Sequence, residues 1–156
     1  MQKLLLFIFT GCFFCSCSYA QSKNNKEKRN GIVIENTKAT KFVMNFINDV
    51  PNGVYYEINP NNNMLRVFGQ FSNGNFTGIW YYFRESDGGL DYTLQDFVDI
   101  NNTKVKCLQK SYYPNGTIKE EGYLTFEDNP IFDGTEYGEW RYYDEAGKLK
   151  ETRNFE

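Results

Sequence analysis

Aromatic clusters recurring at a fixed interval constrain this chain more than any other feature. Phe83, Tyr113 and Tyr143 lie thirty residues apart, and each closes a cluster: Trp80-Tyr-Tyr-Phe83, Tyr112-Tyr113 and Trp140-Arg-Tyr-Tyr143. A turn follows each cluster, through Gly89, Asn115-Gly116 and Ala146-Gly147, and then an aliphatic residue, Leu90, Ile118 or Leu149. A further apolar residue comes six or seven positions on, at Phe97, Leu124 and Phe155. A looser earlier copy runs from Gly53-Val-Tyr-Tyr56 through an Asn-rich turn to Leu65 and Phe71. Four units with a period of 25 to 30 residues signal a repeat architecture, in which each unit buries its apolar surface against its neighbours.

Each unit reads as two strands and a turn. Tyr, Phe, Trp, Val and Thr suit a pleated, half-buried surface. Asn115-Gly116 is a strong hairpin dipeptide, and Asn73-Gly74 and Asn52-Gly53 add further turn signals. The expected fold is all-β: an antiparallel meander of repeated β-hairpins forming an elongated single-layer sheet over residues 52–156. Alternation along a strand puts Trp80 and Tyr82 on one face, and Trp140 and Tyr142 on one face. Aligned by the thirty-residue interval, Trp80, Tyr82, Tyr112, Trp140 and Tyr142 form one aromatic stripe. Two roles suit such a stripe, the packed face of the sheet or an exposed strip that grips a partner. Packing is the simpler of the two.

Ahead of the repeats, residues 40–51 place apolar side chains at 42, 43, 46, 47 and 50. That spacing matches one face of a short helix stopped by Pro51, and a strand is the competing reading. Either element would cap the first edge of the sheet.

Residues 1–20 have the layout of a secretory signal peptide. Lys3 precedes the apolar run Leu4–Phe14, and Ser18-Tyr-Ala20 supplies small residues for cleavage. Phe14-Cys-Ser-Cys17 also resembles a bacterial lipobox, so cleavage after Ala20 and lipidation at Cys17 stand as equal expectations. Both place the protein in the bacterial envelope or outside it, with any membrane attachment made through the N-terminal lipid. Cys107 is then the single body cysteine, expected as a buried small hydrophobe.

Charge divides the rest. Residues 21–41 carry six Lys/Arg against two Glu, and residues 42–156 carry ten against eighteen Asp/Glu. The basic stretch within 21–39 reads as a solvated polar tether. The acidic body argues against nucleic acid, which requires a basic footprint.

Catalytic chemistry finds little support. The chain has no histidine, which removes the commonest general base and metal ligand. A single body cysteine excludes cysteine zinc sites, and no glycine-rich loop precedes a helix. Glu120-Glu121 and Glu127-Asp128 are the nearest carboxylate pairs, and a solvated strand or turn accounts for both. The run 127–134 lacks the alternating spacing of a calcium loop. No enzymatic activity, cofactor or metal is expected.

Tyr112-Tyr-Pro-Asn-Gly-Thr-Ile-Lys-Glu-Glu-Gly122 and Gly138-Glu-Trp-Arg-Tyr-Tyr-Asp-Glu-Ala-Gly-Lys-Leu149 resemble the variant MORN repeat of bacterial YwqK-type antitoxin proteins. Gly78–Leu90 matches with a longer turn, and Gly53–Leu65 has Tyr55 in place of the tryptophan. The resemblance covers about two thirds of the chain. It implies a sheet of hairpins used for protein interaction and, more narrowly, neutralisation of a toxin partner. A carbohydrate-binding envelope protein is the alternative, with the aromatic stripe stacking on sugar rings.

Overall fold

The computed structural model describes residues 27–101, 104–127 and 134–156. The leader with Cys17, the tether up to residue 26 and most of the acidic run 127–134 lie outside the described residues. The described chain is all-β. One antiparallel sheet contains β1 (Gly31–Asn36), β2 (Lys41–Ile47), β3 (Val50–Ile58), β4 (Leu65–Ser72), β5 (Asn75–Phe83), β6 (Leu90–Asp99), β7 (Lys104–Tyr112), β8 (Ile118–Glu127), β9 (Thr135–Tyr143) and β10 (Leu149–Phe155). Spatial order equals sequence order throughout, as expected of a hairpin meander.

Residues 40–51 hold β2, the Asn48-Asp49 turn and the start of β3, which is the strand reading and not the helical one. Phe42, Met44 and Phe46 point to one face of β2, and Val43 points to the other. Val43 and Phe46 are both buried, so the sheet is apolar on both sides here. Adjacent apolar pairs that imitate a helical stripe therefore serve two faces of one strand. β1 lies inside the stretch 21–39 read as tether. Its Ile-Val-Ile run pairs with β2 from Gly31↔Phe46 to Asn36↔Lys41, as a β-branched run favours.

The turns follow their sequence signals. Asn48-Asp49 and Asn73-Gly74 take positive φ at both residues, the geometry that matches strand twist in a two-residue hairpin. Tyr113–Thr117 and Asp144–Lys148 are five-residue turns closed by paired backbone hydrogen bonds, with Gly116 and Gly147 at positive φ. These two turns touch. Asn115 Nδ2 and Thr117 Oγ1 each donate to the Glu145 carbonyl at 2.9 Å, and Tyr113 Oη donates to the Tyr143 carbonyl at 2.9 Å.

Among the described residues no second layer covers the sheet. Burial comes from large rings lying sideways over neighbouring strands. Trp80 of β5 lies across Gly69 of β4 and stacks on Tyr55 of β3, with ring centroids 5.5 Å apart. Phe71 and Phe76 meet the indole edge-on at 4.9 and 4.5 Å. Trp140 of β9 repeats this over Gly122 of β8. In both cases the indole Nε1 donates to the carbonyl after the glycine, Gln70 at 3.1 Å and Tyr123 at 3.0 Å. A Cβ on Gly69 or Gly122 would come within 2.2 or 2.3 Å of the indole, so only glycine fits beneath each ring.

Candidate functional site: a groove on the aromatic face

The aromatic face gathers four of the five residues of the expected stripe. Trp80, Tyr82 and Trp140 are buried there, and Tyr142 is half-buried. Tyr112 belongs to the opposite face, where its hydroxyl lies 3.5 Å from Thr93 Oγ1. The five-residue turn explains the displacement. Tyr113 is the first residue of its turn, whereas Tyr143 is the last residue of its strand before the turn opens at Asp144. Structural equivalence is thus one residue off the thirty-residue alignment. Ser111, paired with Tyr92 and Glu120, takes the place held by Tyr82 and Tyr142.

The two tryptophans are 1 % and 2 % exposed, so neither offers a ring face to a sugar. They anchor the aromatic core, together with Leu94 and Cys107. Burial pushes the Cys107 thiol up to about 12. Tyr82 stacks on Tyr92 with centroids 4.2 Å apart, and its buried hydroxyl has no hydrogen-bond partner among the described residues.

A groove opens where β7 presents small and polar side chains. Next to Tyr92 and Leu94 of β6, β7 contributes Ser111 and Gln109. Next to those, β8 contributes Glu120 and Gly122. No indole fills the position above Gln109. The resulting groove has a volume of about 530 Å³, runs over Tyr92, Leu94, Leu124 and Trp140, and is mostly polar in its exposed lining. Gln109 sits in its middle, Glu120 and Glu136 line it, and Gly134 and Thr135 form part of its rim.

Its electrostatics are one-sided. The Glu120 and Glu136 side chains make no hydrogen bond or ion pair with a described residue, although Glu136 lies within the field of Arg153. Glu121, its neighbour in sequence, turns to the other face, where it meets Lys110 at 3.7 Å and accepts from Tyr143 Oη at 2.8 Å. The nearby guanidinium of Arg153 is held by Glu151 through two hydrogen bonds of 2.7 and 2.8 Å and lies over the Tyr142 ring. Desolvation, and then the field of Glu136, holds the Tyr142 hydroxyl above its ordinary range. Gln109, which lines the groove, donates from Nε2 to Ser111 Oγ at 3.1 Å.

Sequence reasoning had passed over Gln109 and Glu136 and set Glu120 aside as solvated strand. The signal that finds them is the absent tryptophan in the β7 unit, legible only once the register of that unit is known. Among the described residues no three His, Cys, Asp or Glu side chains stand close enough to hold a metal ion.

The opposite face differs along its length. Val54, Phe68 and Ile79 are exposed on β3 to β5, and Ile32 and Ile34 on β1, at 73 % and 56 %. The Phe68 and Tyr81 rings meet there at 6.1 Å. Further along, the same face carries Lys110, Glu121 and Arg141. In comparisons with family models, curated proteins and solved structures, the chain matches none.

Proposed function

We propose that this chain is an exported, non-enzymatic protein-interaction module built from variant MORN-like hairpins, held in the cell envelope or released from it. The observation that carries the reading is the exposed apolar row on the N-terminal half of the open face: Ile32, Ile34, Val54, Phe68 and Ile79. Contiguous exposed apolar surface rimmed by polar residues marks interaction sites. Aromatic rings at its centre, Phe68 against Tyr81, suit an interface core. The acidic balance of residues 42–156 favours a basic partner and speeds encounter with it. An antitoxin or immunity protein is the narrower form of this reading.

The test is affinity purification from envelope extracts with the exported chain, alongside an intact mass of the mature protein. A basic protein is expected to be retained, to elute with salt, and to be lost from a Phe68→Asp, Ile79→Asp variant that still folds. Retention unaffected by that variant, or no specific retention, overturns the proposal. The mass separates lipidation at Cys17 from a chain starting at Gln21.

A further inference from the structure

We propose that copies of this chain join head to tail, β1 of one copy pairing antiparallel with β10 of the next, into one continuous sheet. The contact uses the edges of the sheet. Of the apolar row on the open face, only Ile32 and Ile34 take part in it.

Topology makes the pairing possible. Among the described residues β1 pairs only with β2, and β10 only with β9, so each outer strand presents a row of open N–H and C=O groups. Successive strands alternate in direction through an even number, ten, so β1 and β10 run in opposite senses. A second copy set beside β10 therefore offers its β1 antiparallel, with each face of the sheet continued. β1 has six residues and β10 seven, so the two edges match in length. Val33 then continues the aromatic face that Phe155 ends, and Ile32 and Ile34 continue the open face that Thr152 and Asn154 end.

The edges are not guarded against it. Lysine, proline or a bulge keeps an edge strand from pairing. From Gly31 to Asn36, β1 has neither lysine nor proline, and its register with β2 is unbroken. Ile32 and Ile34 lie exposed on it. β10 carries Lys150, Glu151 and Arg153, but Glu151 and Arg153 satisfy each other along the strand.

Charge decides which edges meet. Residues 21–41, at the β1 edge, carry six Lys/Arg against two Glu, and residues 135–156, which hold β9 and β10, carry four against six Asp/Glu. Lys28 precedes β1 and Lys38 follows it; Glu145 precedes β10 and Glu156 follows it. All four are exposed. Antiparallel pairing of β1 with β10 sets Lys38 beside the turn that holds Glu145, and Lys28 beside Glu156, opposite signs at both ends. The symmetric pairings reverse this. β1 against its own copy sets Lys28 beside Lys38, and β10 against its own copy sets Glu145 beside Glu156. Like charges across a contact exclude the wrong partner. A single strand edge is a small contact, so association is weak and sensitive to salt. Every oligomer keeps one free β1 and one free β10, so growth does not stop at two copies.

The experiment is sedimentation velocity of the purified exported chain over a range of concentrations, at low and high salt. A ladder of oligomers that grows with concentration and recedes with salt is expected. Lys38→Glu and Glu145→Lys, each alone, should weaken association about threefold at low salt. An equimolar mixture of the two variants should restore it, because alternating copies then meet opposite charges at every contact. The sign of each single variant separates the arrangements. A β1 dimer would be strengthened by Lys38→Glu, and a β10 dimer by Glu145→Lys; either result overturns the proposal. So does growth that ends at two copies, a mixture no better than its components, or a chain that stays monomeric at every concentration. Both substitutions lie in exposed loops, and circular dichroism checks that each variant keeps the sheet. The Phe68→Asp, Ile79→Asp variant should assemble as the parent does, so loss of a protein partner and loss of assembly are read separately.

Discussion

Trp80 and Trp140 show how a sheet without a covering layer keeps its large side chains dry. Each indole lies flat over a glycine of the preceding strand and donates its N–H to the next carbonyl. Gly122→Ala should cost about 1–3 kcal/mol, because the new methyl would sit 2.3 Å from the ring in a packed core. In a Trp140→Ala background, itself costing about 3–5 kcal/mol, the same change should be nearly neutral; urea unfolding of the four-member cycle measures the coupling. Tyr82 behaves in the opposite sense. Its buried hydroxyl lacks a described partner, so Tyr82→Phe should raise stability by about 1 kcal/mol. A loss of stability in that variant would mean the hydroxyl is satisfied. The buried titrating groups also fix an alkaline limit. Burial lifts the Cys107 thiol from 9.0 to about 12, and burial with the Asp91 charge lifts Tyr92 from 10.0 to about 12. Tyr55 and Tyr82 are raised still further, in each case first by burial. Above pH 9 the unfolded chain releases these protons before the folded chain does. Stability is therefore complete below pH 9 and falls as pH rises from 9 towards 12. Denaturant midpoints over that range check the sign, and Cys107→Ala should flatten the first part of the decline.

Two adjacent turns form a ladder that gives the thirty-residue interval a physical meaning. Asn115 caps its own turn by accepting from Thr117 N at 2.9 Å, and it also reaches across to the Glu145 carbonyl. Asn115→Ala should cost about 1–2 kcal/mol for the lost hydrogen bonds, and hydrogen exchange should speed up in residues 113–117 and 144–148 together. Faster exchange in the first turn alone would show that the contact between turns carries no energy. The same turns explain what was legible from sequence. Aromatic clusters, Asn-Gly dipeptides and the trailing aliphatic residues specify strand, turn and strand, because each is a local propensity. Strand register is not local. The one-residue displacement that sends Tyr112 to the far face arises from where Tyr113 closes its turn. Residues 40–51 left helix and strand both open for a related reason, and β2 is the strand. Phe42, Val43, Phe46 and Ile47 match helical spacing only if a single face is apolar, and here both faces are.

Backbone pairing joins only sequence neighbours, from β1 with β2 through to β9 with β10. Stability in such an array is close to a sum of strand terms and nearest-neighbour terms. The groove follows from that arrangement. A single unit can lack the tryptophan and still be held by the pairings on either side. Opening should therefore start at the ends. β10 is exposed over nearly its full length and β1 is almost as open, whereas Trp80, Leu94, Cys107 and Trp140 lie on β5, β6, β7 and β9. Native-state hydrogen exchange should rank protection lowest in β1 and β10, rise inward, and peak across β5 to β8. Strands that pair only with neighbours should exchange by successive fraying, with opening energies that differ from strand to strand. Equal protection across all ten strands would mean one cooperative unit. Ring packing that reaches past the adjacent strand, as Trp80 makes with Tyr55, would then couple the units more strongly than backbone pairing does, and a cut at any turn would unfold the entire sheet.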